Sequence, residues 1–489
     1  MELTSELFLK RTSITRLFIF LSMYVLCFLL SIKLAPDFAV PILLLITISP
    51  PIIIYVARNN FNLVLLYIAL LPLVQHLNIY SIKVSDFVIS PHMIFQGVIM
   101  FVVAADYFIS TDGYDNNSLQ KLDKLLLLFV FLSIPSLIFG YSLPVNHEKR
   151  WLLFYTGMFE PLILYFIVFY YLSKDSTNIK KIVIALLFTS LSSLIVASIE
   201  LRSIGLDAVK IYLSRMRIGF GYHNTNLYGI HSTLLVPIVV YALQSKEFKE
   251  TRLFALVSLL ILSILTILCF NRGTIISIGM ELLLLLFLKN SRRIVYWIFV
   301  GLIVFCIIFN KVILFYALRF FGGETGTYSN VSPLLDSSAS YRLDAWKTGL
   351  KLLFYFPWGM GAGSFQYGWM MYGTDPSIYL GTPHELFLSI GVDYGVIPLI
   401  LFIGILFIAV NQCWELSKIK LGNVENSLYQ HIIISIIGFV LYGLVTDGEL
   451  SHLTGFRIPN NGYTLVLVTL FAIVSSGMVE SSRKRVSLV

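Results

Sequence analysis

Apolar residues run in stretches of about twenty, separated by short segments rich in lysine, arginine, proline or glycine, instead of alternating with period two. About 20 apolar residues in an α-helix span a hydrocarbon core. The pattern predicts helices near 17–33, 38–57, 61–80, 87–108, 124–141, 152–172, 182–199, 226–243, 253–270, 274–288, 294–316, 385–410, 430–446 and 462–478. The expected fold is therefore all-α and polytopic, with about fourteen transmembrane helices in a single integral membrane domain over residues 1–489. The first run follows Lys10, Arg11 and Arg16 like a signal peptide, but Lys33, Pro36 and Asp37 follow it without a small-x-small cleavage site. It is expected to stay as the first helix.

Composition narrows the class further. With 57% hydrophobic and 13% charged residues and a mean hydropathy of +0.84, soluble, disordered, collagenous and coiled-coil classes are excluded. The 35 basic and 27 acidic residues leave a net charge of +8, which in a soluble protein would point to nucleic acid. Here it reports topology, and no nucleic-acid partner is expected. With a cytoplasmic N-terminus, the inner segments collect Arg58, Lys121 with Lys124, Lys174 with Lys180 and Lys181, Lys246 with Lys249 and Arg252, Lys289 with Arg292 and Arg293, and Arg483 to Arg485. That is a positive-inside distribution with both termini cytoplasmic. Cys27, Cys269, Cys306 and Cys413 lie in or beside apolar runs without CxxC spacing, so they read as core thiols.

The bias is modest because cations also gather outside. They are Lys149 with Arg150, a cationic loop over 200–225 holding Arg202, Lys210, Arg215 and Arg217, the lone Arg272, and a large loop over 317–384 holding Arg319, Arg342, Lys347 and Lys351. Cations kept on the disfavoured side suggest an anionic ligand there. In the large loop, Ser337, Ser338 and Ser340 precede a segment from Tyr341 to Tyr355 in which Leu343, Trp346, Leu350 and Leu353 recur at helical spacing, and Pro357 ends it. This segment is expected to be a helix in the outer interface, between the eleventh and twelfth spans.

Arg215, Arg217, Arg272 and Arg342 suit a pyrophosphate, because guanidinium is always charged and contacts phosphate oxygens in pairs; a lipid headgroup is the plainer partner for any one of them. Arg272 is the sharpest, since Asn271-Arg272-Gly273 is a very short turn between two apolar runs. His384, after Gly381-Thr382-Pro383 and beside Glu385, sits where a neutral imidazole can take a proton from a sugar hydroxyl, or simply cap a helix. Gly359-x-Gly361-x-Gly363 has no strand before it, so it reads as a tight turn. The pair Asp447 and Glu449 lacks supporting ligands, and no metal site is expected. Glu160 and Glu281 fall mid-helix and must be paired, protonated or wet. Tyr341, Tyr367, Trp369, Tyr372 and Tyr379 suit sugar stacking and an interfacial belt equally.

Several of these residues together resemble one family. His384-Glu-Leu-Phe-Leu-Ser-Ile-Gly-Val-Asp393-Tyr-Gly395 is similar to the histidine-asparagine motif, with following acid and glycine, of O-antigen ligases and Wzy-type O-antigen polymerases. Arg342-x-x-x-Trp346, Pro357-Trp-Gly359-Met-Gly361 with Phe365, Asn271-Arg272-Gly273, and Arg217 to Asn226 resemble that domain's other motifs, in order, from about 215 to 410. Glu385 stands where the family has asparagine, and Pro398 where it has glycine. The resemblance implies a GT-C-type, inverting, metal-independent glycosyltransferase without a cofactor, in the cytoplasmic (inner) membrane with its site facing the periplasm. The donor would be an undecaprenyl-pyrophosphate-linked glycan held by Arg215, Arg217, Arg272 and Arg342. His384 would activate the acceptor, with Glu385, Asp393 and Tyr341 in support.

The acceptor stays open. A polymerase elongates on a lipid-linked repeat unit, alongside a chain-length regulator; a ligase transfers to lipid A core. A flippase of lipid-linked oligosaccharides is a further class, compatible with Glu160 and Glu281 in the membrane, although transporters usually show repeated halves.

Overall fold

The computed structural model describes residues 59–77, 82–84, 87–89, 91–109, 119–140, 147–204, 219–220, 225–269, 271–308, 337–375, 381–419, 426–445, 452–453, 459–460 and 462–487. The runs predicted at 17–33 and 38–57 lie outside them. Contacts divide the chain into two compact units, residues 1–67 with 97–113, and residues 68–96 with 114–489. Of the first, most of α1 (Asn60–Ala69) and the later part of α3 (Pro91–Ile109) are described. The second holds everything that follows.

Its helices are α2 (Leu71–His76), α4 (Lys121–Gly140), α5 (His147–Phe154) running through a π turn into α6 (Glu160–Lys174), α7 (Asn178–Ile204), α8 (Thr225–Gln244), α9 (Arg252–Leu268), α10 (Arg272–Phe287), α11 (Arg292–Ile308), α12 (Ser337–Tyr355), α13 (Phe365–Tyr372), α14 (Leu386–Tyr394), α15 (Val396–Leu416), α16 (Ser427–Val445) and α17 (Gly462–Ser487). Two short antiparallel hairpins accompany them, β1 (Ile82–Val84) with β2 (Phe87–Ile89) and β3 (His452–Leu453) with β4 (Pro459–Asn460). Among the described residues, eight helices are long and apolar enough to cross a membrane: Lys121–Gly140, Trp151–Lys174, Asn178–Glu200, Asn226–Gln244, Lys246–Leu268, Val396–Leu416, Ser427–Leu444 and Gly462–Lys484. The chain is thus a helical, polytopic membrane protein. Backbone groups in lipid have no water to bond, and a helix satisfies them internally.

The spans in α8 and α17 are each 94% buried, which makes them the centre of the bundle. α8 packs on α9, α10, α16 and α17, while α17 also covers α6. The outward surfaces of the peripheral spans are apolar, with Phe131, Ile138, Leu253, Ile400 and Phe407 all exposed, as a lipid-facing surface requires.

Several boundaries depart from the hydropathy pattern. The run at 87–108 opens as strand β2, paired with β1, and its helix starts only at Pro91. The run at 385–410 is two helices, α14 and α15, broken at Gly395, where φ is +105°. Hydropathy is blind to the break because both halves are apolar. The run at 61–80 closes early as α1 and α2, and the run at 152–172 starts a turn sooner, at His147. The predicted interfacial segment from Tyr341 is a helix, α12, ending at Tyr355 just before Pro357. Cys269 and Cys413 are buried free thiols; the side chains of Cys27 and Cys306 lie outside the described residues.

Buried polar side chains tie these helices together. Asp123 of α4 accepts the hydroxyl proton of Tyr165 of α6, and the same Tyr165 oxygen lies 2.7 Å from Ser475 Oγ of α17, which can donate to it. Glu160, expected to need a partner, pairs with His92 of α3, and Gln75 of α2 lies 3.3 Å from the same imidazole. Such networks are favourable only when closed, because an unpaired polar group in a bundle costs about 1–3 kcal/mol.

Candidate active site

The turn between α9 and α10 is built around Asn271. Its side-chain oxygen accepts the Thr274 N–H at 3.2 Å and so caps α10, while its Nδ2 donates to Asn226 Oδ1 at 2.7 Å and to the Tyr442 hydroxyl at 2.8 Å. Tyr442 in turn donates to the Asn226 carbonyl at 2.8 Å. This network pins the starts of α8 and α10 to the end of α16. It places Arg272, half-buried, at the first residue of α10 instead of in a loop, where its guanidinium lies at a positive helix end. The sequence pattern marked Asn271 and Asn226 but not Tyr442, which is hidden inside an apolar run.

His384 takes a conformation that few non-glycine residues adopt, with φ +58°. Such left-handed geometry costs of order 1–3 kcal/mol and persists only where the surroundings enforce it. Thr382 Oγ1 accepts the His384 N–H at 3.2 Å, and Trp346 Nε1 donates to its carbonyl at 3.5 Å. Trp346 lies one helical turn beyond Arg342 on α12, so both occupy the face turned to the histidine loop. Leu388 of α14 and Pro383 cover Gly349 on the same helix.

Glu385 is the N-cap of α14, and its carboxylate accepts the backbone N–H groups of Phe387, at 3.1 Å, and Leu388. A side-chain acceptor is what this position needs, and asparagine would supply one as well. Burial pushes the Glu385 carboxyl above the usual carboxylate range, and the two N–H groups oppose that shift. The amides at the α14 N-terminus are thus committed to Glu385, so it is Glu385 and not His384 that caps the helix. Leu386 and Phe387 then lie over Gly443 of α16, next to Tyr442. A continuous line of contacts therefore runs from Trp346 through the His384 loop to Tyr442, Asn271 and Arg272.

The glycine-rich turn does structural work. Gly359 and Gly361 have φ of +87° and +86°. Met360 N–H donates to Val392 O at 2.8 Å, Gly361 N–H to Asp393 O at 3.0 Å, and Val396 N–H to Pro357 O at 2.9 Å. These bonds clasp the end of α12 to the break between α14 and α15. A Cβ on Gly359 would lie 2.7 Å from the Asp393 carbonyl oxygen, so only glycine fits. Asp393, buried, thus contributes its backbone to the clasp. Behind it Ala345, Leu352, Met360, Phe365, Trp369 and Val392 form one apolar cluster.

Residues 256–403 match the O-antigen ligase family model, Wzy_C. The O-antigen ligase-like region runs from within α9 to within α15 and takes in Arg272, Arg342, the clasp, His384, Glu385 and Asp393. It stops short of Arg215 and Arg217. Together with the apolar helices, it supports a membrane enzyme of O-antigen ligase or polymerase type. No curated protein matches the chain significantly.

Of the residues singled out from sequence, Glu385 and the backbones of His384 and Asp393 are held by the bonds above, while Arg272 opens α10 and Arg342 lies on α12, the helices those bonds reach. Arg215, Arg217, Asp447 and Glu449 lie outside the described residues, as does the Tyr341 side chain. One further residue has no signal in the sequence. Glu200, near the end of α7, accepts the Phe220 N–H at 3.0 Å and lies 3.5 Å from His76 Nδ1, so it holds the chain three residues beyond Arg217. No spacing rule would have found it.

Proposed function

We propose that the chain is an inverting GT-C-type glycosyltransferase of about fourteen spans, acting at the periplasmic face of the inner membrane. It moves a glycan from an undecaprenyl-pyrophosphate carrier to a sugar hydroxyl, as a Wzy-type polymerase of a lipid-linked repeat unit. The carrying observation is His384, held in left-handed backbone between the Arg342 helix and the Asn271–Tyr442 network, inside a stretch similar to O-antigen ligases. Strained backbone with two independent restraints is how a reacting side chain is fixed in aim.

In this mechanism Arg272 and Arg342, with Arg215 and Arg217 from the outer loop, hold the pyrophosphate and stabilise the charge that develops as it leaves. His384 removes the acceptor proton as the hydroxyl oxygen attacks the anomeric carbon in line, inverting it. Glu385 supports by fixing the start of α14, and Asp393 by closing the clasp; Tyr341 serves the acceptor side. Guanidinium charge takes the part that a divalent cation plays elsewhere, so transfer is expected to persist in EDTA. Loss in EDTA with recovery on adding magnesium would make Asp447 and Glu449 the first suspects.

The ligase reading, with lipid A core as acceptor, agrees with the match to O-antigen ligases and fits the same residues equally well. The two readings share a donor and differ in acceptor. A transfer assay with synthetic lipid-pyrophosphate donor, offering a lipid-linked repeat unit or lipid A core, separates them. Transfer to neither acceptor would refute both.

A further inference from the structure

Among the described residues, two that are not glycine carry a left-handed backbone, His384 and Phe220, with φ of +58° and +44°. Both stand shortly before a helix, α14 and α8, and each has its N–H held by a side-chain oxygen. For His384 the acceptor is Thr382, two residues away; for Phe220 it is Glu200 Oε2 of α7, twenty residues away in the chain and at 3.0 Å. The other Glu200 oxygen lies 3.5 Å from His76 Nδ1 of α2, and the two side chains are only 15% and 13% exposed. The Phe220 ring is wholly buried and stands edge-on to Tyr228 of α8, with centroids 5.2 Å apart. Tyr228 lies two residues after Asn226, which accepts from Asn271 beside Arg272.

A left-handed phenylalanine costs of order 1–3 kcal/mol, and a buried N–H left without an acceptor costs about as much again, so Glu200 is what makes this turn tenable. The turn settles where the 200–225 loop joins α8. Arg217 stands three residues before Phe220, and chain length alone keeps their Cα atoms within about 11 Å. We propose that Glu200 is a positioning residue for the donor. By holding the Phe220 turn it fixes the exit of the cationic loop against the same first turn of α8 that Asn226 ties to Asn271, and so delivers Arg217 to the pyrophosphate on the side of Arg272. Its own charge repels phosphate, and its two oxygens face Phe220 and His76, so it acts through Arg217. A loop already held at its end loses less freedom when it grips a ligand, which places the effect on donor affinity and not on the chemical step. The inference rests on the donor-binding reading above and adds to it a residue outside the matched stretch.

Binding of undecaprenyl pyrophosphate to the protein in lipid nanodiscs tests this without any transfer. Glu200→Ala should weaken binding about tenfold, and Glu200→Gln, which keeps an acceptor for the Phe220 N–H, should bring it back to within about twofold of wild type. Wild-type affinity in Glu200→Ala, or a glutamine variant as weak as the alanine one, would overturn the proposal. Added to Arg217→Ala, Glu200→Ala should cost less than about twofold more, because what it positions is gone; losses that multiply would overturn the link to Arg217. In turnover the donor KM should rise about tenfold while kcat changes less than about threefold, and a fall in kcat at unchanged KM would make the role structural and overturn the positioning. Should Glu200→Ala fail to fold, Glu200→Asp, whose acceptor is withdrawn by one carbon–carbon bond, takes its place, and wild-type affinity in it overturns the proposal equally. Wild type that binds the carrier yet transfers to neither acceptor would refute the proposed function and leave the positioning of Arg217 standing; no binding by the wild type would overturn both.

Discussion

The two ends of α16 hold hydrogen-bonded networks of opposite character. At the first end His431 sits in regular helix, with Nδ1 2.6 Å from the Ser427 carbonyl and Nε2 3.0 Å from Gln244 Nε2 and 3.2 Å from Ser291 Oγ. Ser291 also donates to Gln244 Oε1 at 2.8 Å, so the group closes on itself. At the other end Tyr442 and Asn271 fasten helix starts, and the adjoining histidine, His384, stands on strained backbone in a loop. One histidine staples α8, α16 and the turn before α11; the other is held by its main chain at Thr382 and Trp346. The pair teaches that burial and partners alone do not mark a site. Backbone strain enforced from outside is what separates the two histidines.

The largest effect that sharpens this contrast is on rate. His384→Ala is expected to lower glycan transfer by roughly 10²–10⁴ with little change in thermal unfolding, since positioned bases contribute about that much. A variant with full activity would reduce His384 to a structural loop residue. Next, Arg272→Ala and Arg342→Ala should lower transfer by about 10–10³ and weaken donor binding too, because phosphate contacts precede the transition state. Lysine should restore only part of each, lacking the paired donors. Donor affinity unchanged in both alanine variants would remove the arginines from the site.

Smaller effects probe the scaffold. Gly359→Ala places a Cβ against the Asp393 carbonyl at positive φ and should cost about 2–3 kcal/mol, read as a lowered unfolding midpoint in detergent. Stability equal to wild type would mean that the clasp yields freely. At the two ends of α16, His431→Phe and Tyr442→Phe should each cost about 1–2 kcal/mol by orphaning buried partners. Only Tyr442→Phe should also lower transfer, by a few fold, through Asn271 and Arg272. Equal effects on transfer would erase the distinction between the two ends.

Much of this was legible in the chain. Apolar run length located the eight long apolar helices of the described residues, and proline with helical spacing located α12 from Tyr341 to Tyr355, a turn short of its start at Ser337. The order of short motifs brought Arg272, Arg342 and His384 into one hypothesis. What the sequence hides is backbone conformation and cross-helix bonding. Gly395 breaks a run that is apolar on both sides, His384 owes its strain to Thr382 and Trp346, and Tyr442 looks like any tyrosine in an apolar helix until Asn271 is seen beside it. Glu160 and Glu281 show the limit most plainly, since equal hydropathic settings conceal one carboxylate paired with His92 and another with no hydrogen-bond partner among the described residues.

The clasp between 357–361 and 392–396 is made of main-chain bonds. Main-chain bonds do not read side chains, so the fastening is indifferent to most of what the intervening segment carries. Phe365 and Trp369 stay fixed in the cluster behind the clasp, whereas the exposed Met370 and Met371 can be exchanged while the histidine that follows keeps its place. A chain built this way has a replaceable front on a fixed mount, and the one can change without redesigning the other.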